Sequence, residues 1–192
     1  MKATHLEATG LVLVELAVHR DDRGFFVERF RRDRFLELGL PVDFIQDNHS
    51  RSGPGVLRGL HYQRRNPQGK LVRVSRGAVF DVAVDVRLGS PSFGQWVGVT
   101  LDDVRHEMLW IPPGFAHGFC VISEQADFVY KCTTYYDPET DAGVRWDDPA
   151  IGIEWPELGG GAATAMSAKD FALPLLHEQE PARLPRFGEV AA

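Results

Sequence analysis

His61 is the side chain in this sequence best suited to moving a proton at neutral pH, because imidazole titrates near neutrality. Lys70 follows nine residues later. A protonated lysine offers three donors and no lone pair, so His61 and Lys70 together suit developing negative charge rather than a bound cation. The seven histidines are never spaced as HxH or HxxxH, and Gln63 stands two residues beyond His61. No catalytic metal and no cofactor is therefore expected. Charge around this pair is uneven. Between Gln46 and Gly77 lie Arg51, Arg58, Arg64, Arg65, Lys70, Arg73 and Arg76 against the single acid Asp47, a local +6 on a chain whose net charge is −6. A basic cluster on an acidic protein fits a small anionic ligand better than a nucleic acid polymer. Arg64 and Arg65 are read as a solvated strand edge instead.

The segments that carry these residues read mostly as strand. Ala78, Phe80, Val82, Val84 and Val86 alternate with Val79, Asp81, Ala83, Asp85 and Arg87. Asp81 and Asp85 are either charge partners of the basic cluster or outward-facing. Further strand-like runs are 96–101, 108–111, 118–122 and 127–135, separated by Gly and Pro turns such as Pro112-Pro113-Gly114. Short helices are expected at 33–38, stopped by Gly39 and Pro41, and from Ser167 to Phe171, with Ser167 as cap. Gly159, Gly160 and Gly161 read as a loop. The 192 residues, 44% hydrophobic and 25% charged, suit a single soluble domain over 1–192, with a core at about 45–135 and a C-terminal extension at 156–192. No run approaches the ~20 apolar residues of a membrane span. Cys120 and Cys132 lack a CxxC partner and read as reduced, buried thiols, which points to the cytoplasm.

Two motifs extend the reading. Gly55 and His61 are separated by five residues, Lys70 and Gly77 by six, and Pro112 to His117 contains P-x-G-x-x-H. These resemble the two motifs of the cupin superfamily, which implies an all-β fold, a cupin-type jelly-roll barrel with a few short helices near the N- and C-terminal regions. Gln63 replaces the second histidine of the metal-binding motif, and Lys70 stands near its glutamate. Both changes disfavour a divalent metal.

Longer words are more specific. Asp22 to Glu28, Gln46 to Ser50, Gly55 to Gln63, Gly69 to Val74, Phe80 to Val86, Ser90 to Gly94, Pro113 to Phe119, Tyr130 to Cys132, Tyr136 to Pro138 and Ser167 to Asp170 occur in order. Together they resemble the dTDP-4-dehydrorhamnose 3,5-epimerase family across about residues 20 to 175. The resemblance implies His61 as base, Tyr130 as proton donor, Asp170 as the carboxylate paired with the base, and Lys70 beside the substrate ketone. It implies substrate contacts from Arg23, Glu28, Gln46, Asp47, Asn48, Arg58, His117 and Lys169, with Phe25 and Tyr136 as stacking surfaces. Asp141 stands where the family has Glu, one methylene shorter. The implied partner is a dTDP-linked 4-keto-6-deoxyhexose, and the implied assembly is a homodimer in which the Arg23–Glu28 segment reaches a neighbour's site.

Each residue also has a plainer role. His61 suits a structural hydrogen bond, Tyr130 core packing, His117 a turn cap, and Asp170 only the helix cap. Arg58 and His61 are an odd number of positions apart, so on a regular strand they face opposite ways. If both meet the ligand, either a bulge at Gly59 reconciles them or the ligand's two ends approach from different sides. The expected reaction is inversion at C3 and C5 through an enolate. A 3- or 5-monoepimerase uses the same residues. A metal-dependent cupin oxygenase and a non-catalytic sugar-nucleotide-binding module are the readings from other classes.

Overall fold

The computed structural model describes residues 1–6, 10–156 and 165–189. Its strands in chain order are β1 (Lys2–Leu6), β2 (Leu11–Glu15), β3 (Val18–Asp21), β4 (Gly24–Val27), β5 (Gln46–Ser52), β6 (Leu57–Gln63) and β7 (Lys70–Arg76). They continue as β8 (Ala78–Asp85), β9 (Trp96–Asp102), β10 (Met108–Ile111), β11 (Phe115–Val121), β12 (Ala126–Cys132) and β13 (Asp141–Gly143). The two α-helices among the described residues are α1 (Arg32–Glu37) and α2 (Ala168–Phe171). The expected glycine loop at 159–161 lies outside the described residues.

Two antiparallel sheets face each other. One has the order β1-β2-β10-β7-β12-β5, the other β13-β6-β11-β8-β9, and β3 pairs with β4 as a separate ribbon. Among the described residues the sheets share no strand, so the jelly roll is an open sandwich rather than a closed barrel. Alternation decides what each face buries. Val72 and Val74 of β7, Val79 and Ala83 of β8, Phe119 of β11 and Phe128 of β12 meet in the space between the sheets. Leu60, Val82, Val84 and Ala116 point the other way, against Ile151, Leu176 and Leu184. Val12, Leu71, Met108 and Trp110 on the outside of the larger sheet are covered by Phe35 of α1 and by Leu40. Both faces of the central strands are thus covered, and every residue of β11 is buried. That is why the sequence there reads as a nearly continuous apolar run.

Several boundaries differ from expectation. The ten-residue run after Gly77 ends at Asp85, whose carboxylate accepts from the Arg87 backbone N–H at 2.9 Å and turns the chain. The run expected to reach Tyr135 ends at Cys132, and the run expected at 118–122 starts at Phe115. Arg64 and Arg65 follow the end of β6 in a loop, where Arg64 donates to the Glu139 carbonyl at 3.0 Å. Asp81 and Asp85 are fully buried, so neither is outward-facing.

Candidate active site

The space between the sheets opens into a cavity of about 510 Å³. Arg58 and His61 of β6 and His117 of β11 line it from one sheet, and Lys70 of β7 and Tyr130 of β12 line it from the other. Ser167 and Asp170 close one side, and Phe119 and Phe128 form an apolar wall.

Strand β6 reaches this position through a bulge. His61 pairs with His117 and Arg58 with Phe119, so three steps along β6 match two along β11. Gly59 lies between them at φ +124°, a conformation side chains rarely adopt. A Cβ there would stand 2.5 Å from the Gly118 Cα and 2.8 Å from the His117 carbonyl oxygen. The Gly59–Leu60 peptide is cis. The bulge brings Arg58 and His61 to the same cavity despite their odd spacing.

Helix α2 supplies the partner of His61. Ser167 Oγ accepts from the Asp170 backbone N–H at 3.0 Å, the N-cap expected from the sequence. Capping uses the Asp170 amide and leaves its carboxylate free. Oδ1 lies 2.8 Å from His61 Nε2, and Oδ2 accepts from the Gly59 N–H at 3.3 Å. A carboxylate accepts, so Nε2 carries the ring proton and Nδ1 keeps its lone pair. Burial pushes the Asp170 pKa up, but the His61 hydrogen bond and charge, with the Gly59 and Ser167 contacts, outweigh it and hold the group below the ordinary value.

Lys70 is half-buried, and its ammonium has no hydrogen bond or ion pair among the described residues. Burial lowers its pKa, opposed by Cys132, Asp81 and Asp141. Tyr130 packs against the core with its ring 6.0 Å from that of Phe128. Burial raises its phenol pKa, so it stays protonated at neutral pH. His117 is 6% exposed, and its Nε2 lies 3.0 Å from Asp81 Oδ2. Burial lowers the His117 pKa, Asp81 opposes this, and Lys70 and His61 add to it, so the ring is neutral at pH 7.

An adjoining cavity of about 190 Å³ shares His61, Lys70 and Tyr130, and adds Tyr136, Asp141 and Lys169. Lys169 Nζ pairs with Asp141 Oδ2, which also accepts from Tyr136 Oη at 3.2 Å. Gln46 and Asn48 lie on the inward side of β5. Gln46 Oε1 accepts from the Tyr136 N–H at 2.8 Å, and Gln46 Nε2 donates to Asn48 Oδ1 at 3.1 Å.

Six of the residues named from the sequence do not line these cavities in the single chain: Gln46 and Asn48, which meet Tyr136 and each other instead, and Asp47, Arg23, Phe25 and Glu28. Asp47 points outward from β5 and pairs with Lys131. Arg23 is 90% exposed at its side chain and pairs with Asp21. Phe25 packs against His106 with ring centroids 4.3 Å apart and planes tilted by 35°, and Glu28 is exposed. The basic cluster also divides, because alternate residues of a strand leave on opposite faces. Arg58 and Lys70 line the cavity, whereas Arg51 leaves β5 outward and pairs with Asp127 at 2.6 Å. Gln63 binds the Asn66 and Tyr135 carbonyls and the Asp137 amide, so it anchors a loop. Among the described residues no group of three or more His, Cys, Asp or Glu side chains is arranged to hold a metal ion. Asp81, Phe119, Phe128 and Met166 were not named from the sequence as site residues. Only Asp81 carried a signal, a charge on the same face as Val79 and Ala83.

The sequence profile described as dTDP-4-dehydrorhamnose 3,5-epimerase matches residues 5–178. The chain belongs to the dTDP-4-dehydrorhamnose 3,5-epimerase family. A protein of that family from Pseudomonas aeruginosa is 56% identical over 157 residues, 81% of this chain and 87% of that protein. Similar structures fall on both sides of a functional division. A dTDP-6-deoxy-D-glucose-3,5-epimerase from Legionella pneumophila, in complex with dTDP-4-keto-L-rhamnose, superposes with a TM-score of 0.92 at 50% identity, covering 97% of this chain and 98% of that one. A 3'-monoepimerase from Streptomyces bikiniensis, in complex with dTDP-quinovose, gives a TM-score of 0.86 at 35% identity, covering 94% and 91%. The two-sheet architecture and the β6 bulge are therefore set in an epimerase-family chain.

Proposed function

We propose that this chain inverts C3 and C5 of a dTDP-linked 4-keto-6-deoxyhexose. One observation carries the reading: His61 and Tyr130 line one cavity from opposite sheets. A sugar ring held between the sheets has a base on one face and an acid on the other. The C4 ketone acidifies the protons on C3 and C5. His61 Nδ1 takes one of them, with Asp170 fixing the tautomer and stabilising the imidazolium. The Lys70 ammonium stabilises the enolate oxygen, and the absence of a direct ion pair or hydrogen bond to it among the described residues leaves it available to do so. Tyr130 returns a proton from the other face, which inverts the carbon. Each positioned acid or base contributes about 10²–10⁴-fold. None of these steps draws on a metal or cofactor.

Arg58, Lys169, Tyr136 and Asp141, with Gln46 and Asn48, suit the nucleotide diphosphate end in this reading. Arg23, Phe25 and Glu28 complete that end in a homodimer, delivered by the β3–β4 ribbon of a second copy. Their exposure outside the chain's own cavity supports that arrangement. Among the described residues no helix is long and apolar enough to cross a membrane, and the two free cysteines are buried, which supports work in the reducing cytoplasm.

Proton NMR of the sugar nucleotide in D₂O tests the reaction. Deuterium entry with inversion at both C3 and C5 is the expected result. Inversion at one carbon alone assigns the chain to the monoepimerases, whose fold it shares, and no exchange at either carbon refutes the proposal.

A further inference from the structure

A second histidine–carboxylate pair lies under the same cavity. On β8 and β11, Asp81 is paired in register with Phe119, and His117 with Ala83, so Asp81 and His117 are diagonal neighbours on the inward faces. His117 Nε2 is 3.0 Å and 3.2 Å from the two Asp81 oxygens. Asp81 is 0% exposed and makes no other hydrogen bond among the described residues. The His117 ring stacks on Phe128, with centroids 5.9 Å apart and planes 24° from parallel. Ring plane and ring polarity are therefore both fixed. The Asp81 carboxylate faces Nε2 with both oxygens and accepts, so Nε2 carries the proton. Nδ1 then keeps its lone pair, takes no hydrogen bond from the described residues, and belongs to a side chain that lines the cavity.

We propose that Asp81 is a positioning residue that holds His117 in the tautomer whose Nδ1 accepts a hydrogen bond from a ring hydroxyl of the sugar. It acts through His117 and touches no reacting atom. The consequence is selectivity: the cavity favours a sugar that presents a donor to Nδ1 and discriminates against one with hydrogen at that position, which leaves a buried acceptor unpaired. This proposal rests on the epimerase reading for its substrate, but the tautomer is measurable without it.

The test combines Asp81→Asn with ring ¹⁵N NMR of the whole protein. An asparagine amide donates to Nε2, so the expected spectrum shows His117 inverted, with Nδ1 now protonated. Turnover of the sugar nucleotide is expected to fall about 10–100-fold in kcat/KM, carried by KM. Affinity for dTDP alone, which lacks the sugar, is expected to stay within about twofold. Asp81→Glu, which keeps a carboxylate, restores the original tautomer and part of the lost kcat/KM. A folded Asp81→Asn variant with an unchanged tautomer and kcat/KM within twofold overturns the proposal. So does a loss of dTDP affinity in step with kcat/KM, which marks general damage. If Asp81→Asn does not fold, the wild-type spectrum decides, because a protonated Nδ1 on His117 is incompatible with the proposal. Failure of the wild-type protein to exchange any sugar proton instead overturns the epimerase reading and leaves the tautomer result standing.

Discussion

Replacing Asp170 by Asn changes one atom type at the base of the site. In the native protein Asp170 Oδ1 lies 2.8 Å from His61 Nε2, and Asp170 is only 5% exposed. The geometry makes Nε2 the donor and Nδ1 the base. In Asp170→Asn the remaining carbonyl oxygen has a competing donor, the Gly59 N–H at 3.3 Å from Oδ2. The amide nitrogen then faces His61 and favours the opposite tautomer, with Nδ1 protonated and unable to accept the substrate proton. The carboxylate's stabilisation of the imidazolium is lost as well. A wrong tautomer in a comparable histidine–aspartate pair costs about 10⁴-fold, and a positioned base contributes about 10²–10⁴-fold. The expected loss in kcat is therefore about 10²–10⁴-fold, equivalent to roughly 2.7–5.4 kcal/mol of transition-state stabilisation. Near-isosteric replacement leaves the Ser167 cap intact, because that bond uses the Asp170 amide. The assay is the initial rate of deuterium entry at C3 and C5, alongside a thermal melt showing a folded protein. A folded Asp170→Asn variant that exchanges within about threefold of wild type refutes the role of the dyad.

Lys70→Arg keeps the positive charge but removes a titration. The Lys70 ammonium is lost as pH rises through its pKa, and burial brings that loss below the pH at which an ordinary lysine deprotonates. The wild-type pH–rate profile is expected to fall on its alkaline side for this reason, and the variant's residual activity is expected to lack that limb; identical limbs in both refute the assignment. Gly59→Ala places a Cβ 2.5 Å from the Gly118 Cα at φ +124°, and is expected to destabilise the fold by at least ~3 kcal/mol in denaturant titration. An unchanged midpoint contradicts the close approach of β6 and β11. Arg51→Leu tests acid stability. The Arg51 hydrogen bond, with lesser help from its charge and from His49, holds the Asp127 pKa down to about 2. A depressed carboxylate stabilises the fold above its unfolded pKa of ~3.9, and that contribution is lost as pH falls towards the folded value. Wild type is expected to lose Tm steadily from about pH 5 to pH 2 and the variant to lose less over that interval; equal losses count against the pair.

Residue identity alone carried the chemistry a long way. His61 as a base, Lys70 as a charge stabiliser and the unsuitability of Gln63 and Lys70 as metal ligands follow from side-chain type and spacing. The ordered words from Asp22 to Asp170 carried the family resemblance, and the Ser167 cap was legible because capping is local in sequence. What the sequence left open depended on contacts between distant segments. Period-2 alternation says which residues of a strand share a face, but not which face meets the cavity. Asp47 therefore stood beside Gln46 and Asn48 as an equal candidate, although pairing of β5 with β12 turns it outward to Lys131. The same splitting separates Arg58 and Lys70 from Arg51. The odd spacing of Arg58 and His61 was resolved only by the bulge, which exists because Gly59 meets Gly118 across the sheet. Two placements belong wholly to the tertiary structure: His61 and Tyr130 on opposite sheets, and Asp81 beneath His117. Both arise from packing one sheet on another and pairing β8 with β11, which brings together residues that lie 69 and 36 positions apart in the chain.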